Sequence, residues 1–479
     1  MPVVSVSTDC ELRPRAARNV LVSGAAVLLL LLWPALVNRY PLVFSDTGTY
    51  VSQIVERHLG WDRPVFYSLM ILPLHLTLTL WPVIVAQAAL TLCVLKIAMR
   101  CFAGSARQLP AILLVLAAGT SLPWVTAQIM PDFTTGLLAL LLAMLVIVPE
   151  RLGLRLALFT AATATALIAM HQANVPLSLM LLVVLLPLRR RLGAAAALGR
   201  LGVLLACGPL IAATLALMAV NAVGHGRFSP SPYGNIFVLA RSLSDGPAMD
   251  ALRRHCPRAG WRLCVLVQEG QPRDPDAFLW HADSALYREG GPKVISAEAN
   301  AILLTALRDE PGAVLWAALR DSVRQFGMVA TGDGLDPWPQ TVTPVIRRDF
   351  PSAELHRYQR AVQTREGLVL PRWLRTIHAT LLAFGIVATV LWLLLGLRRR
   401  HPIAGLCAAT LLCLVGNAAI TGALSGPHDR YQARIGWLPV FTPLVAAVAL
   451  RRRGDVTAGL NPSPGRVPAH VAAPTAWSG

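Results

Sequence analysis

The chain has 479 residues, of which 55% are hydrophobic and 14% are charged. A soluble protein of this length carries a larger charged fraction, so the composition excludes an ordinary soluble globular protein and predicts an integral membrane protein. The formal net charge is +18, but the basic residues gather in short clusters beside apolar runs. Such clusters indicate how a chain is oriented in a membrane. They do not form a nucleic-acid-binding patch, and no nucleic-acid partner is predicted.

The apolar runs predict about ten transmembrane helices when every arginine cluster is placed in the cytoplasm. The first run is long enough to cross a bilayer, and no small-residue cleavage site clearly follows it, so it is predicted to be a retained anchor. The predicted spans are residues 20–38, 81–100, 109–127, 132–149, 154–170, 175–188, 199–221, 375–397, 402–422 and 435–450. The predicted fold class is an all-α polytopic membrane protein with both termini in the cytoplasm.

This topology divides the chain into four regions. The N-terminal membrane core, residues 1–221, holds seven spans and a first outer loop over residues 39–80. Residues 222–374 are polar and too long for a plain loop, so they predict a small α-rich or α+β domain outside the membrane. Residues 375–453 hold the last three spans. The tail, residues 454–479, is rich in Pro, Ala and Gly and is predicted to be disordered in the cytoplasm.

Two cysteines, Cys256 and Cys264, lie eight residues apart in the polar region. They are predicted to form a disulfide if this region is exported to an oxidising compartment, and the alternative is two free thiols. Most of the other cysteines lie in or beside apolar runs, where cysteine is usually a small packing residue.

The first outer loop contains two short predicted helices. A helix that begins at Ser45 places four polar residues on one face, because spacings of three and four return to the same side of a helix. These residues are Asp46, Tyr50, Gln53 and Arg57. A second apolar helix begins at Arg63–Pro64, because proline is tolerated in a first turn. Residues 64–80 are predicted to be interfacial or re-entrant, since a span here would put the basic cluster around Lys96 outside.

Polar residues occur at the outer ends of several predicted spans. At that depth they are tolerated where they line a wet or protein-enclosed cavity, so their convergence predicts a site. The residues are Asp46, Asp132, His171, Gln172, Asn174, His428, Asp429, Arg430 and Tyr431. Taken singly, each has a simpler alternative. Acids and asparagines at helix ends are often caps, and an arginine near a span end often anchors at the lipid headgroups.

Two sequence elements resemble the GT-C glycosyltransferases, which are polytopic membrane enzymes that use polyprenyl-phosphate sugars. One is an acid just after the first span, Asp46, followed by the aromatic Tyr50 and then by the R-P-x-x-Y helix start at residues 63–67. The other is G-P-H-D-R-Y at residues 426–431, which precedes a final helix containing Trp437-Leu438-Pro439. The resemblance covers the membrane core and does not extend to residues 222–374.

The resemblance implies an inverting hexosyl- or pentosyltransferase of the bacterial inner membrane. It would move a sugar from a polyprenyl-phosphate donor to a glycan, lipid or protein acceptor on the extracytoplasmic side. Asp46 would accept the proton of the acceptor hydroxyl, with Asp132 as a second acid. Arg430 and Arg434 would bind the phosphate, because a guanidinium offers paired donors. The other implied substrate-binding residues are Tyr50, Arg63, His171, Gln172, Asn174, His428, Asp429 and Tyr431.

Other classes fit the sequence less well. Asp46 and Asp132 are the carboxylates that a divalent cation would use, but the chain has no H-x-x-H or C-x-x-C spacing, and no metal site is predicted. Without a P-loop, G-x-S-x-G or Rossmann fingerprint in a suitable setting, ATP-driven transport and serine hydrolysis are excluded. A transporter or flippase of a lipid-linked saccharide is the main alternative, although its ionisable residues would lie at mid-membrane. A noncatalytic envelope protein that keeps the GT-C frame is the third.

Overall fold

The structure is a computed structural model that describes residues 28–195 and 197–459. Over these residues the chain is helical, and the one pairing of extended backbone is an isolated bridge between Leu42 and Gln128. The predicted all-α class is therefore confirmed for the described residues, including the region for which α+β was left open. Residues 20–27 of the first predicted span, and the predicted disordered tail from residue 460 onward, lie outside the described residues.

The helices follow one another along the described chain. In order they are α1 (Leu28–Asn38), α2 (Thr47–Val55), α3 (Val65–His75), α4 (Trp81–Ala103), α5 (Leu109–Gly119), α6 (Leu122–Thr126), α7 (Phe133–Ile147), α8 (Gly153–Met170), α9 (Asn174–Leu188), α10 (Arg200–His225), α11 (Gly234–Asp245), α12 (Pro247–His255), α13 (Leu266–Glu269), α14 (Pro275–Trp280), α15 (Ala285–Arg288), α16 (Gly291–Asp309), α17 (Pro311–Gly327), α18 (Thr343–Asp349), α19 (Ser352–Gln359), α20 (Val362–Glu366), α21 (Arg372–Arg398), α22 (Ile403–Leu424), α23 (Asp429–Ala433) and α24 (Leu438–Gly459).

Six helical segments are long and apolar enough to cross a membrane: α4, α8, α10, α21, α22 and Asp429–Arg451, which combines α23 with much of α24. The other four predicted spans correspond to the shorter apolar helices α1, α5, α7 and α9. Helices α7 and α9 have 15 residues each. That length gives about 22 Å of helix, whereas a bilayer's hydrocarbon core is about 30 Å thick. Six candidate spans are thus present in the described residues, and the remaining four stay predictions.

Helix α7 lies at the centre of the bundle. Each of its residues is buried, and it contacts α4, α8, α9 and α22. A helix that is apolar all round belongs inside a bundle. Close packing depends on glycine here, because a Cβ added at Gly136 would lie 2.6 Å from the Trp437 ring. A Cβ at Gly405 of α22 would likewise lie 2.6 Å from Ile147. Small residues let helices approach closely in membrane proteins.

The first loop forms the two short helices predicted from the sequence, α2 and α3. Asp46 occupies the N-cap position of α2, but its side chain makes no capping hydrogen bond. The amide of His58 bonds to the Gln53 carbonyl at 2.9 Å and closes the end of the helix. Arg57 therefore lies beyond α2, with a φ of 54°, and leaves the polar face predicted for it.

Backbone and amide hydrogen bonds hold the start of the first loop against two distant parts of the chain. The amide of Leu42 donates to the Ala127 carbonyl at 3.0 Å, and the amide of Ile129 donates to the Leu42 carbonyl at 2.8 Å. The Gln363 side chain accepts from the Val43 amide at 3.0 Å and donates to the Val43 carbonyl at 2.7 Å. These bonds fix the start of α2 beside the start of α7.

Residues 222–374 contribute to two hydrophobic cores. Helices α11 to α16 surround a core of their own between residues 233 and 302, and we call residues 233–302 the inserted unit. Within it, Cys256 and Cys264 are joined by a disulfide. Residues from 335 onward pack into the main core instead, where Glu354 accepts a hydrogen bond of 2.8 Å from the Tyr40 hydroxyl. Residues from 335 onward therefore pack with the membrane core, whereas the inserted unit has a hydrophobic core of its own.

Candidate functional site

A cavity of about 380 Å³, the first cavity, lies where the first loop meets the inserted unit. Its walls come from the first loop, the segments before α7 and α9, the inserted unit and the segment between α22 and α24. Eight residues predicted from the sequence line it: Asp46, Tyr50, Arg63, Asp132, His171, Gln172, Arg430 and Tyr431. The polar residues at the ends of separate helices therefore meet in one cavity.

Asp46 is held by an ion pair with Arg63 in the wall of the first cavity. Nε and Nη2 of Arg63 each lie 2.8 Å from Asp46 Oδ2. Within the described part of the chain, Asp46 Oδ1 accepts one hydrogen bond, from Ser45 at 3.3 Å. Burial alone would lower the pKa of Arg63, but the carboxylates of Asp46 and Asp62 outweigh it and raise that pKa above its ordinary value. The guanidinium therefore stays charged and fixes Asp46 in one orientation.

A second group of charged and polar side chains surrounds Asp132. Its Oδ1 lies 2.9 Å from Arg434 Nη1, and the same nitrogen lies 2.9 Å from His171 Nε2. Arg434 is 1% exposed, and its Nη2 donates to Asn417 Oδ1 at 2.6 Å. Burial and the Arg434 guanidinium lower the pKa of His171 to about 3, so its ring is neutral near neutral pH. Asp132 makes no capping bond to α7, because its carboxylate serves this ion pair.

The Arg430 guanidinium lies in the wall of the first cavity, and its side chain is 19% exposed. Its Cζ lies 4.1 Å from the centroid of the Phe44 ring and 4.9 Å from that of Tyr431. Cation–π contacts of this kind hold a guanidinium in place. Among the described residues, the buried Nη1 has no hydrogen-bond partner, and its ion-pair contact with Asp46 Oδ2 is 3.9 Å long. The Arg430 charge is therefore less closely paired than that of Arg63.

Four of the predicted site residues do not line the first cavity: Asn174, His428, Asp429 and Arg434. The buried Asn174 amide bonds to threonine hydroxyls of α7. Asp429 accepts a hydrogen bond of 2.8 Å from the Ala330 amide, and His428 Nε2 lies 3.5 Å from Asp276. Arg434 does not line the cavity itself but contacts two residues that do, Asp132 and His171. The geometry gives these four side chains positioning contacts within the protein.

Four acidic or aromatic residues that line the first cavity were missed from the sequence: Asp62, Phe237, Asp276 and Trp280. The Asp62 side chain is 12% exposed, and its Oδ2 lies 3.8 Å from Arg63 Nη1. Burial raises the pKa of Asp62, although Arg63 opposes the shift. Its place directly before Arg63 was a usable signal. Asp276 and Trp280 belong to the inserted unit, where no motif marked them.

The first cavity combines an oriented carboxylate on Asp46, the guanidinium of Arg430 and an apolar side that includes Val175, Ile420 and Leu424. It can therefore bind a ligand that has an anionic group and an apolar part, with a base beside that ligand. Among the described residues, no group of three or more His, Cys, Asp or Glu side chains could hold a metal ion. No protein-family model matches the chain, and no curated protein or solved structure is significantly similar to it.

Proposed function

We propose that the chain is a GT-C-like glycosyltransferase of the bacterial inner membrane, which moves a sugar from a polyprenyl-phosphate carrier to an envelope acceptor. In this proposal all ten predicted helices cross the membrane, both termini are cytoplasmic, and the first cavity opens on the extracytoplasmic side. The inserted unit then lies outside the membrane, where a disulfide persists. The observation that carries the proposal is the meeting of Asp46, Arg63 and Arg430 in one cavity with an apolar side.

The shorter helices are compatible with ten spans because protein encloses the most central of them. Helix α7 is buried at every position, so its ends meet protein groups and not lipid, and backbone at membrane depth is tolerated where protein surrounds it. A bilayer also thins locally beside short spans at a modest cost. A span of about 22 Å is therefore acceptable in the middle of the bundle.

Arg430 is the proposed contact for the donor phosphate. A phosphate oxygen would meet the part of the Arg430 guanidinium that lines the first cavity, and charge-assisted bonds to phosphate are strong. The neighbouring guanidiniums of Arg63 and Arg434 already bind carboxylates, at 2.8 and 2.9 Å respectively. The prenyl chain would leave the cavity along its apolar side, between Val175 of α9 and Leu424 of α22.

Asp46 is the proposed base. Its ion pair with Arg63 orients the carboxylate, and Oδ1 has only the long bond from Ser45 among the described residues. In the reaction the acceptor O–H gives its proton to Asp46, and the oxygen attacks the anomeric carbon of the donor sugar. The bond between that carbon and the phosphate oxygen breaks, and its electron pair leaves with the polyprenyl phosphate. Attack opposite the leaving group inverts the anomeric centre.

The proposal is tested by comparing envelope glycolipids and polysaccharides from cells with and without the gene, using mass spectrometry. We expect one sugar to be missing without the gene and restored by the wild-type gene. The matched control is Asp250→Asn, because Asp250 is an exposed acid paired with Arg253 on α12, away from the first cavity. This variant should restore the sugar as well as the wild type does. Unchanged glycans in the deletion strain would contradict the proposal.

A transporter of a lipid-linked saccharide would use the same cavity without breaking a bond. Most ionisable residues of the first cavity lie near the ends of helices, in the segments before α2, α3, α7, α9 and α24. A transporter concentrates such residues at mid-membrane, so the arrangement favours an enzyme. Purified protein that releases polyprenyl phosphate from a labelled polyprenyl-phosphate sugar would exclude transport alone.

A further inference from the structure

A second cavity, of about 560 Å³, adjoins the first cavity. It lies between the end of α2, the end of α10 and the inserted unit, and its walls are aromatic and polar. Its lining residues include His58, Trp61, Asp62, His225, Trp280 and Lys293. Asp62 and Trp280 also line the first cavity. These two side chains therefore form a wall that both cavities share.

The shared wall is stiffened by aromatic stacking. The Trp61 ring lies 5.8 Å from the Trp280 ring and 5.6 Å from the Phe237 ring, centroid to centroid. Arg63, which binds Asp46, lies over the Trp280 ring at 5.5 Å from its centroid. Contacts therefore connect Asp46, the proposed base in the first cavity, through Arg63 and Trp280 to the aromatic wall of the second cavity. Rings that are packed in this way offer a surface that needs little ordering when a ligand binds.

The second cavity suits a polar ligand that comes from water. Lys293 is exposed, and the His58 side chain is 47% exposed. His225 and Thr49 add side chains that can donate or accept hydrogen bonds. An apolar surface beside a few convergent polar groups is the usual composition of a small-molecule site. A sugar ring matches it, because a sugar presents C–H groups on its faces and hydroxyls around its edge.

We propose that the second cavity binds the acceptor as a hydroxyl-bearing saccharide, whose ring packs on Trp61 and Trp280 and whose reacting hydroxyl is held by Asp62 at the shared wall. This inference rests on the proposed glycosyltransferase function. The held hydroxyl would point into the first cavity, where it loses its proton to Asp46 as its oxygen bonds to the donor's anomeric carbon. The polyprenyl phosphate departs with the electron pair of the broken bond.

The surroundings of Asp62 fit a positioning residue. Burial raises its pKa, so its carboxyl group takes up a proton more readily than an exposed one. An ionised carboxyl group accepts a hydrogen bond from a hydroxyl, and a protonated one can donate a hydrogen bond to it. Asp46, by contrast, is fixed by two nitrogens of Arg63. The two acids therefore have separate tasks, and their variants should affect different kinetic constants.

The test uses the full-length protein in lipid nanodiscs with a labelled polyprenyl-phosphate sugar as the donor. The acceptor is a titrated extract of envelope glycolipids and polysaccharides from cells that lack the gene. Two variants change residues that line only the second cavity: Trp61→Ala removes the stacking surface, and Lys293→Trp narrows the mouth from an exposed position. Trp316→Ala is the matched control, because Trp316 lines neither cavity and is 65% exposed.

We expect Trp61→Ala and Lys293→Trp to raise the acceptor KM at least about tenfold, the change that about 1.4 kcal/mol produces. Asp62→Asn should also raise the acceptor KM more than it lowers kcat. Binding of neryl phosphate, a probe of the first cavity, should stay unchanged in Trp61→Ala and Lys293→Trp. An unchanged acceptor KM in both of these variants would overturn the inference and leave the glycosyltransferase proposal standing. A wild-type protein that transfers no sugar from any tested donor would overturn both.

Discussion

Arg63 binds Asp46 through Nε and Nη2, each 2.8 Å from the same carboxylate oxygen, and so ties the end of the loop after α2 back to the start of that helix. Both side chains are largely buried, at 14% and 11% exposure. The pair therefore shapes the first loop and orients the proposed base at the same time.

Arg63→Gln should destabilise the protein as well as the site. Removing one partner of a buried pair costs about 3–5 kcal/mol, because the Asp46 carboxylate would keep only its 3.9 Å contact with Arg430. We expect a lower apparent Tm for the detergent-solubilised protein. Arg63→Gln combined with Asp46→Asn should lose less than the sum of the two single changes, because the orphaned charge is then gone. Additive losses would show that the two residues act independently.

Arg430→Lys tests the proposed phosphate contact. Lysine keeps the charge but loses the planar, paired donors and the stacking on Phe44. We expect both Arg430→Lys and Arg430→Ala to weaken neryl phosphate binding, measured by a labelled-ligand assay. Full binding by Arg430→Lys, with none by Arg430→Ala, would mean that a positive charge is sufficient. Full binding by both variants would indicate that Arg430 anchors at the lipid headgroups and does not bind the phosphate.

The proposed topology is open to reporter fusions at the ends of helices. Fusions after residues 60, 130, 173, 300 and 427 should report the extracytoplasmic side, and fusions after residues 105, 152, 191, 399 and 453 the cytoplasm. The pattern depends on α3 not crossing the membrane, because a span there would put the basic cluster around Lys96 outside. A cytoplasmic signal at 60 together with an external signal at 105 would reverse the assignment of α3 and α4.

The disulfide between Cys256 and Cys264 should persist in the protein isolated without reductant. A loop this short contributes about 2–3 kcal/mol by the chain-entropy account, so Cys256→Ser should loosen the inserted unit and leave the membrane core folded. Limited proteolysis should then cut first within residues 233–302. Labelling of both thiols in the untreated wild-type protein would show that the bond is absent.

The sequence predicted the helices, and which helix ends meet at the site, better than it predicted the side-chain contacts there. Asp46, Asp132 and Arg430 could be grouped because each lies at the end of an apolar run, and apolar runs of similar length end at similar depths. Periodicity shows only which residues share a helix face. It cannot show the hydrogen bond between Asp132 and Arg434, because these residues are 302 positions apart. No local pattern contains a contact of that kind.

Two further features of the site do not follow from helix periodicity. Asp62 lies in a loop, so it belongs to no predicted helix face. Trp280 enters the cavity because α11 to α16 fold around their own core, and that packing is a property of the whole unit. Helix length was equally hard to predict, since hydropathy does not show that α7 ends at Ile147 with all its residues enclosed.

The most direct test of the central claim is the turnover of Asp46→Asn with a labelled polyprenyl-phosphate sugar and the envelope extract as acceptor. Asparagine has nearly the same shape but cannot accept the proton, and loss of a general base lowers rates roughly 10²–10⁴-fold. The account predicts a folded, membrane-inserted protein that binds neryl phosphate and whose kcat falls by at least about 100-fold. The Asp250→Asn control should keep the wild-type kcat. Wild-type turnover by Asp46→Asn would contradict the account.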